Sequence, residues 1–354
     1  MANYYVIGLS AVVMLTIVSL VYDSFDMDMY QCRDTKQQSD SSTKITRLLT
    51  SANSSWEFNI TGNDVLVCLH IQKTGGSSFG RHLVHDLDLS SPCQCKKGLK
   101  ACQCFRPGSK NEVWLFSEFS MGWSCGLHAD WTELTNCVPS MLDKFEGTKH
   151  KRRYFYQTIL REPQARYLSE WRHVQRGATW KTAVHMCNGK IPTSEELPRC
   201  YEGIDWTGVS LEEFMDCQYN LANNRQTRML ADLSEVGCYN LSKLSNAERR
   251  ARMLESAKRN LRRLAFFGML EYQKETQQLF ESTFGLKFLK DFVQFDATKG
   301  TAAKTVLTGQ QKLKVQEANT EDFLLYDYAK KLFLERVAAL RQKRRKRAPL
   351  TRLS

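Results

Sequence analysis

The strongest chemical signal in the chain is a run of six residues. Lys73, Thr74, Gly75, Gly76, Ser77 and Ser78 stand between an apolar run at residues 65–69 and an amphipathic stretch that begins at Phe79. A helix N-terminus presents backbone N–H groups with no intrahelical partner, together with a partial positive charge. Glycines let an anion approach that backbone closely, serines add donors, and a lysine adds a full charge. These residue types in this order make a cradle for a phosphate-like group. The plainer reading is a glycine-rich turn from strand to helix. The order is not that of a Walker A loop, whose lysine follows its last glycine, since Lys73 precedes Gly75. No apolar run ending in an aspartate stands out to hold magnesium, so a magnesium-dependent kinase fits poorly. A sulfuryl group carries less charge than a terminal phosphoryl group. Its transfer suits a lysine and a helix dipole without a metal.

Two more clusters carry chemistry. In ILREPQARYLSEWRHVQRGATWK, Arg161 falls where a strand should end, and a guanidinium grips phosphate as a fork. If the following helix reaches Trp180, then Ser169, His173, Arg176 and Trp180 share one face at helical spacing. That face would offer a hydroxyl, an imidazole, a cation and an aromatic platform to an anionic, hydroxylated ligand; otherwise it is a solvated face capped by a packing tryptophan. In SMGWSCGLHADW, Trp123, Cys125, His128 and Asp130 lie in one glycine-rich loop that could build a sugar site with a general base. Residue types alone do not choose among the seven histidines.

Elements must position these groups. Residues 65–69 and 154–160 read as buried strands, and residues 264–269 as another. Phe79, Leu83 and Leu87 recur at helical spacing after the glycines, and Pro163 suits the first turn of a helix. Strands alternating with helices predict an α/β domain with a parallel sheet. A long amphipathic helix is expected from about residue 320. Cys93, Cys95, Cys102 and Cys104 form C-x-C-x6-C-x-C. That spacing favours a disulfide-stapled loop over zinc, with three pairings open.

The formal charge is +12, yet eight Lys/Arg and no acid occur from Arg336 onward, leaving +4 for the rest. That end reads as a solvated tail or a handle for a polyanion. Residues 4–21 hold no charge and match a bilayer's hydrocarbon core, with Tyr4, Tyr5 and Tyr22 at its ends. An uncleaved signal anchor is favoured over a cleaved signal peptide. Twelve cysteines and three sequons, at Asn53, Asn59 and Asn240, point to an oxidising lumenal body. The expected layout is a cytosolic tail (1–3), an anchor (4–22), a polar stem (23–57), one domain (58–335) and the basic tail (336–354).

The blocks HIQKTGGSSFGRHLV, WSCGLHADWTELTNCVP, RYLSEWRHVQRGATWK, ELPRCYEGIDW and EEFMDCQYNLANNRQTRMLADLS resemble the heparan-sulfate 6-O-sulfotransferases over roughly residues 58–335. The resemblance implies a Golgi type II membrane enzyme with the sulfotransferase α/β fold. It would move a sulfuryl group from 3′-phosphoadenylyl sulfate (PAPS) to the 6-hydroxyl of glucosamine in heparan sulfate. His70, Ile71, Gln72, Lys73, Thr74, Gly75, Gly76, Ser77 and Ser78 would cradle the 5′-phosphosulfate, with Lys73 near the bridging oxygen. Arg161 and Ser169 would bind the 3′-phosphate, and Val293, Gln294, Phe295, Lys299 and Gly300 would close over the nucleotide. His128 would be the general base. Trp123, His173 and Trp180 fall at acceptor-binding positions of that family. No metal is required and no nucleic acid is implied, and oligomeric state is not legible. Two departures remove positive charge from the presumed acceptor cleft. Lys100-Ala101 stands where the family often has a basic pair, and Glu118 where it often has arginine. The alternatives are a nucleotide-dependent kinase and a non-catalytic heparin-binding membrane glycoprotein.

Overall fold

The structure, a computed structural model, describes residues 57–292 and 305–347. The expected anchor, the stem before residue 57, Asn53, Val293, Gln294, Phe295, Lys299, Gly300 and the last seven residues lie outside the described residues.

Four strands form one parallel sheet: β1 (Asp64–Cys68), β2 (Leu115–Phe116), β3 (Arg153–Leu160) and β4 (Phe266–Met269), in the order β2-β1-β3-β4. Val65, Leu66 and Val67 are all fully buried. Such a run without polar alternation is what a central strand covered on both faces requires. Register follows from Leu66 pairing with Leu115 on one side and with Phe155 on the other, and from Gln157 pairing with Phe266. At the far end of β1, Asp64 accepts two hydrogen bonds of 2.6 Å from Arg153 of β3. This bidentate pair locks the strand starts together.

Helix α1 (Gly76–His85) follows β1. The short α2 (Glu118–Met121) follows β2, and α3 (Trp131–Glu146) leads to β3. Then come α4 (Pro163–Gln175), α5 (Leu211–Asp216), α6 (Arg225–Leu230) and α7 (Asn246–Arg263). After β4 the chain forms α8 (Gln273–Phe284), α9 (Gly309–Ala318) and α10 (Thr320–Arg347). Neighbouring strand residues point to opposite faces. Phe266 packs on Phe79 of α1 and on Phe280 and Phe284 of α8, with ring centroids 5.3–6.1 Å apart, while Phe267 packs 6.2 Å from Phe333 of α10. Helices therefore cover both faces, giving three layers. Each such buried phenylalanine contributes about 1.5–3 kcal/mol.

The expected strands appear, with β4 two residues shorter at its start, and β2 is an addition of only two residues. Helix α4 begins as expected: Pro163 is its first residue, and the Glu162 carboxylate accepts from the N–H groups of Gln164 and Ala165 at 3.0 and 2.6 Å. It does not reach Trp180. The helix ends at Gln175, and Gly177 turns the chain at φ +89°, a conformation that suits glycine. The four clustered cysteines pair as Cys93–Cys104 and Cys95–Cys102, one bridge nested in the other, and Gln94 and Gln103 exchange backbone hydrogen bonds between them. Cys125–Cys137, Cys187–Cys238 and Cys200–Cys217 are also joined. The basic run expected as a separate tail begins inside α10, whose Val337 and Leu340 are buried. None of the helices among the described residues is long and apolar enough to cross a membrane.

Candidate active site

The chain moves from β1 out to β2 and then returns to the other side of β1, so β1 and β3 flank the point where strand order reverses. In open parallel sheets that crevice, beyond the carboxyl ends of the strands, takes the ligand. The loop after β1 carries residues 70–76 and the loop after β3 carries Arg161. The Arg161 guanidinium donates to the Lys73 carbonyl at 3.1 Å, which clamps the two loops together.

The two glycines have separate reasons. Gly75 is the N-cap of α1 at φ +93°, and no side chain caps the helix there. Gly76 sits under the His70 ring, where a Cβ would come within 2.4 Å of Cδ2. Upstream, Thr74 is fully buried and its hydroxyl donates to the Ile71 carbonyl at 2.9 Å, so the turn is closed from inside. Lys73 adopts φ +66° and His128 φ +51°. A non-glycine residue in the left-handed region costs energy that only surrounding structure can hold, and such residues cluster at functional sites. Burial, and the cations of Arg176 and Arg161, lower the Lys73 pKa, while Glu170 works the other way. An uncapped helix start, Lys73 and Arg161 form a donor set suited to a polyanion. Glu170, the acid in this field, is already occupied by two arginines.

His128 stands at the centre of the second group. Its Nδ1 lies 3.2 Å from the His70 carbonyl oxygen. A carbonyl only accepts, so Nδ1 carries the proton and Nε2 keeps its lone pair. Burial and the neighbouring His70 hold its pKa well below the ordinary imidazole value, which keeps the ring neutral and ready to accept a proton. Trp123 at 4.5 Å, His70 at 4.8 Å and Trp180 at 5.1 Å between ring centroids enclose it. The loop is held from both ends: Cys125 is bridged to Cys137 of α3, and Asp130 caps α3. The Asp130 carboxylate accepts from the Glu133 N–H at 3.0 Å, and Glu133 accepts in return from Asp130 N–H and from Met186 N–H. Burial and the nearby Glu133 push the Asp130 carboxyl up to about 7.

Glu118 is the first residue of α2, and its carboxylate takes a short hydrogen bond from His70 Nδ1. The family resemblance put Glu118 in the presumed acceptor cleft; its bonded partner is the donor-loop histidine.

The third group turns on Glu170, which sequence reasoning passed over. It is buried on α4, ion-paired with Arg166 and Arg225, and accepts from the Trp180 indole N–H at 3.2 Å. Burial alone would raise its pKa, yet the guanidiniums of Arg225 and Arg166 hold it down to about 2. Through that bond Trp180, outside the helix, still stands 5.6 Å from His173. Burial and the cations Lys73 and Arg176 lower His173 to about 4. Ser169 is buried on the same helix, and Arg176 is its C-cap. Gln226 of α6 was likewise not anticipated. Its side-chain amide pairs with both the N–H and the carbonyl of Arg161 at 2.9 Å. No signal in the sequence marks either residue, because Gln226 meets Arg161 and Glu170 meets Arg225 only across more than fifty positions of chain.

Lys100 is exposed and Ala101 half-buried in the stapled loop, next to Cys102, whose N–H donates to the Phe119 carbonyl at 2.7 Å. The structure thus ties that loop to α2. Asn59 is exposed and Asn240 half-buried, and each side-chain oxygen accepts from the hydroxyl two residues on, at 2.7 and 2.6 Å.

Residues 56–329 match the sequence model of the sulfotransferase family. Heparan-sulfate 6-O-sulfotransferase 3-B of Danio rerio is 58% identical over 289 residues, covering 82% of this chain and 68% of the relative. The heparan-sulfate 6-O-sulfotransferases 1 of Cricetulus griseus and Homo sapiens are each 58% identical over 295 and 294 residues, 82% of this chain and 73% and 71% of theirs. With a parallel sheet, a donor-type loop at its switch point and these matches over most of its length, the chain belongs to the sulfotransferase family, alongside the heparan-sulfate 6-O-sulfotransferases.

Proposed function

We propose that the protein transfers a sulfuryl group from PAPS to the 6-hydroxyl of glucosamine residues in heparan sulfate. One observation carries this reading: the Lys73 and Arg161 loops meet at the β1/β3 switch point, and His128 with an unprotonated Nε2 stands behind the same loop. PAPS supplies an activated sulfuryl group with a phosphate leaving oxygen. Residues 70–78 hold its phosphosulfate end, Lys73 offsets charge on the leaving oxygen, and Arg161 with Ser169 receives the 3′-phosphate. Val293, Gln294, Phe295, Lys299 and Gly300 are assigned to the nucleotide by resemblance alone. His128 Nε2 accepts the proton of the attacking hydroxyl and passes it to solvent after transfer, and its Nδ1–H bond to His70 keeps the ring aimed. Trp123, His173 and Trp180 provide ring faces and edges on which a sugar can lie, and the stapled loop with Lys100 and Ala101 borders the acceptor side.

The relatives' names support a polysaccharide acceptor. A Golgi location, a type II orientation, an anchor at residues 4–22 and glycosylation at Asn53, Asn59 and Asn240 belong to the same reading. The deciding experiment incubates purified protein with PAPS and 6-O-desulfated heparan sulfate, then analyses disaccharides. New 6-O-sulfate is the expected product. Sulfate at another position, or none while ATP with magnesium supports phosphate transfer, would overturn it.

A further inference from the structure

Three side chains from separate elements converge beside the proposed catalytic base. His70 stands near the start of the loop after β1, Glu118 opens α2, and His128 lies in the loop before α3. One donor atom from each lies within 4.8 Å of the others. Glu118 already bonds His70, and the His70 and His128 rings are 4.8 Å apart. Two imidazoles and a carboxylate are the protein ligands of open zinc sites, where water or substrate fills a fourth position. Ligand atoms around an ion at about 2.0–2.1 Å stand roughly 3.4 Å apart. Closing the widest separation therefore takes a relative shift of up to about 1.4 Å between ligand atoms, and all three residues are only half-buried. His128 Nδ1 is engaged with the His70 carbonyl, which leaves Nε2 for the ion. That atom is also the one the sugar hydroxyl needs.

We propose that His70, Glu118 and His128 form a binding site for a divalent transition ion of the zinc class, which takes the place of the hydrogen bond between His70 and Glu118 and inhibits transfer by occupying His128 Nε2. The inhibitory half rests on the proposed function; the binding half does not. The other grouping of candidate ligands among the described residues, His85 with Cys95 and Cys102, has its sulfurs joined to each other and offers no thiolate.

The test uses the full chain, oxidised, without a histidine tag and stripped with EDTA. Cobalt(II) is titrated while visible ligand-field absorption is read, and zinc is then added to displace it. One equivalent of cobalt should give bands that zinc abolishes. Glu118→Gln and His70→Gln should each weaken binding at least about tenfold, since even a group behind a ligand costs that much; unchanged metal-free melting curves check their folds. Zinc should inhibit sulfate transfer reversibly with EDTA, and Glu118→Gln should raise the inhibitory concentration by the same factor. Absent cobalt bands, or equal bands in wild type and both variants, would sink the site whether or not the protein transfers sulfate. Clear bands with no transfer to heparan sulfate would leave the site standing and remove the function.

Discussion

At the scale of single residues the decisive fact is a proton's location. The His70 carbonyl fixes the His128 tautomer, and burial beside a second imidazole keeps the ring uncharged. His128→Ala should lower kcat by about 10²–10⁴-fold, while calorimetric affinity for adenosine 3′,5′-bisphosphate stays within a factor of two or so, because a base contributes mainly to the proton step. The pH profile follows by sign. Only the deprotonated ring serves, and a depressed pKa keeps it deprotonated further into acid. The acidic limb of kcat/KM should therefore fall below the ordinary imidazole value of about 6.5; a limb at or above that value would contradict the burial argument. Arg161→Ala should raise the PAPS KM by roughly 10–100-fold, the size of a charged hydrogen bond. The fold should survive, as Gln226 holds the backbone of residue 161 rather than its side chain. Lys73, Arg161 and His128 were legible in the sequence because their chemistry is intrinsic to the residue type. Glu170 and Gln226 were not, since a buried carboxylate and an amide gain their roles only when α6 is packed against α4 and the β3 loop.

At the scale of elements, the strand-to-helix turn after β1 tolerates no side chain at its second glycine. Gly76→Ala would drive a Cβ into the His70 ring and should cost about 1–3 kcal/mol in urea denaturation, as overpacking does, together with a loss of donor affinity. Gly309→Ala is the matched control, since nothing lies within 4 Å of its Cβ position; it should be neutral or slightly stabilising. The strands β1, β3 and β4 were readable from apolar runs. The two-residue β2 was not, because Leu115 and Phe116 are too short a run to stand out without their partner strand. The conditional extension of α4 to Trp180 fails for a physical reason that Gly177 states. A glycine at positive φ stops the helix, and Trp180 reaches His173 by folding back onto Glu170 rather than by helical spacing.

At the scale of the whole molecule, the basic C-terminal run does structural work before any electrostatic work. Cutting the chain after Glu335 removes buried Val337 and Leu340 and the Arg336 bond to the Arg262 carbonyl. A loss of a few kcal/mol, about 1.5–3 per buried aliphatic side chain, should appear as a lowered melting temperature. Weaker heparin binding in such a truncation would therefore need a stability control, and a better probe reverses charge at the exposed Lys343, Arg344 and Arg345. The α/β class was legible from alternating runs. The way α10 backs the sheet through Phe333 was not, because the facing residue, Phe267, is more than sixty positions away.

The bridged cysteines are unevenly distributed. Among the described residues none of the five bridges has a cysteine in a strand or in the turns after β1 and β3; all tie the segments around His128 and those between α1 and β2 or beyond α4. Thiol reagents should accordingly act as a scalpel. A treated sample would go on retaining its nucleotide on an affinity column while no longer recognising the polysaccharide, so routine dithiothreitol in a storage buffer would produce a protein that looks sound by one assay and dead by the other.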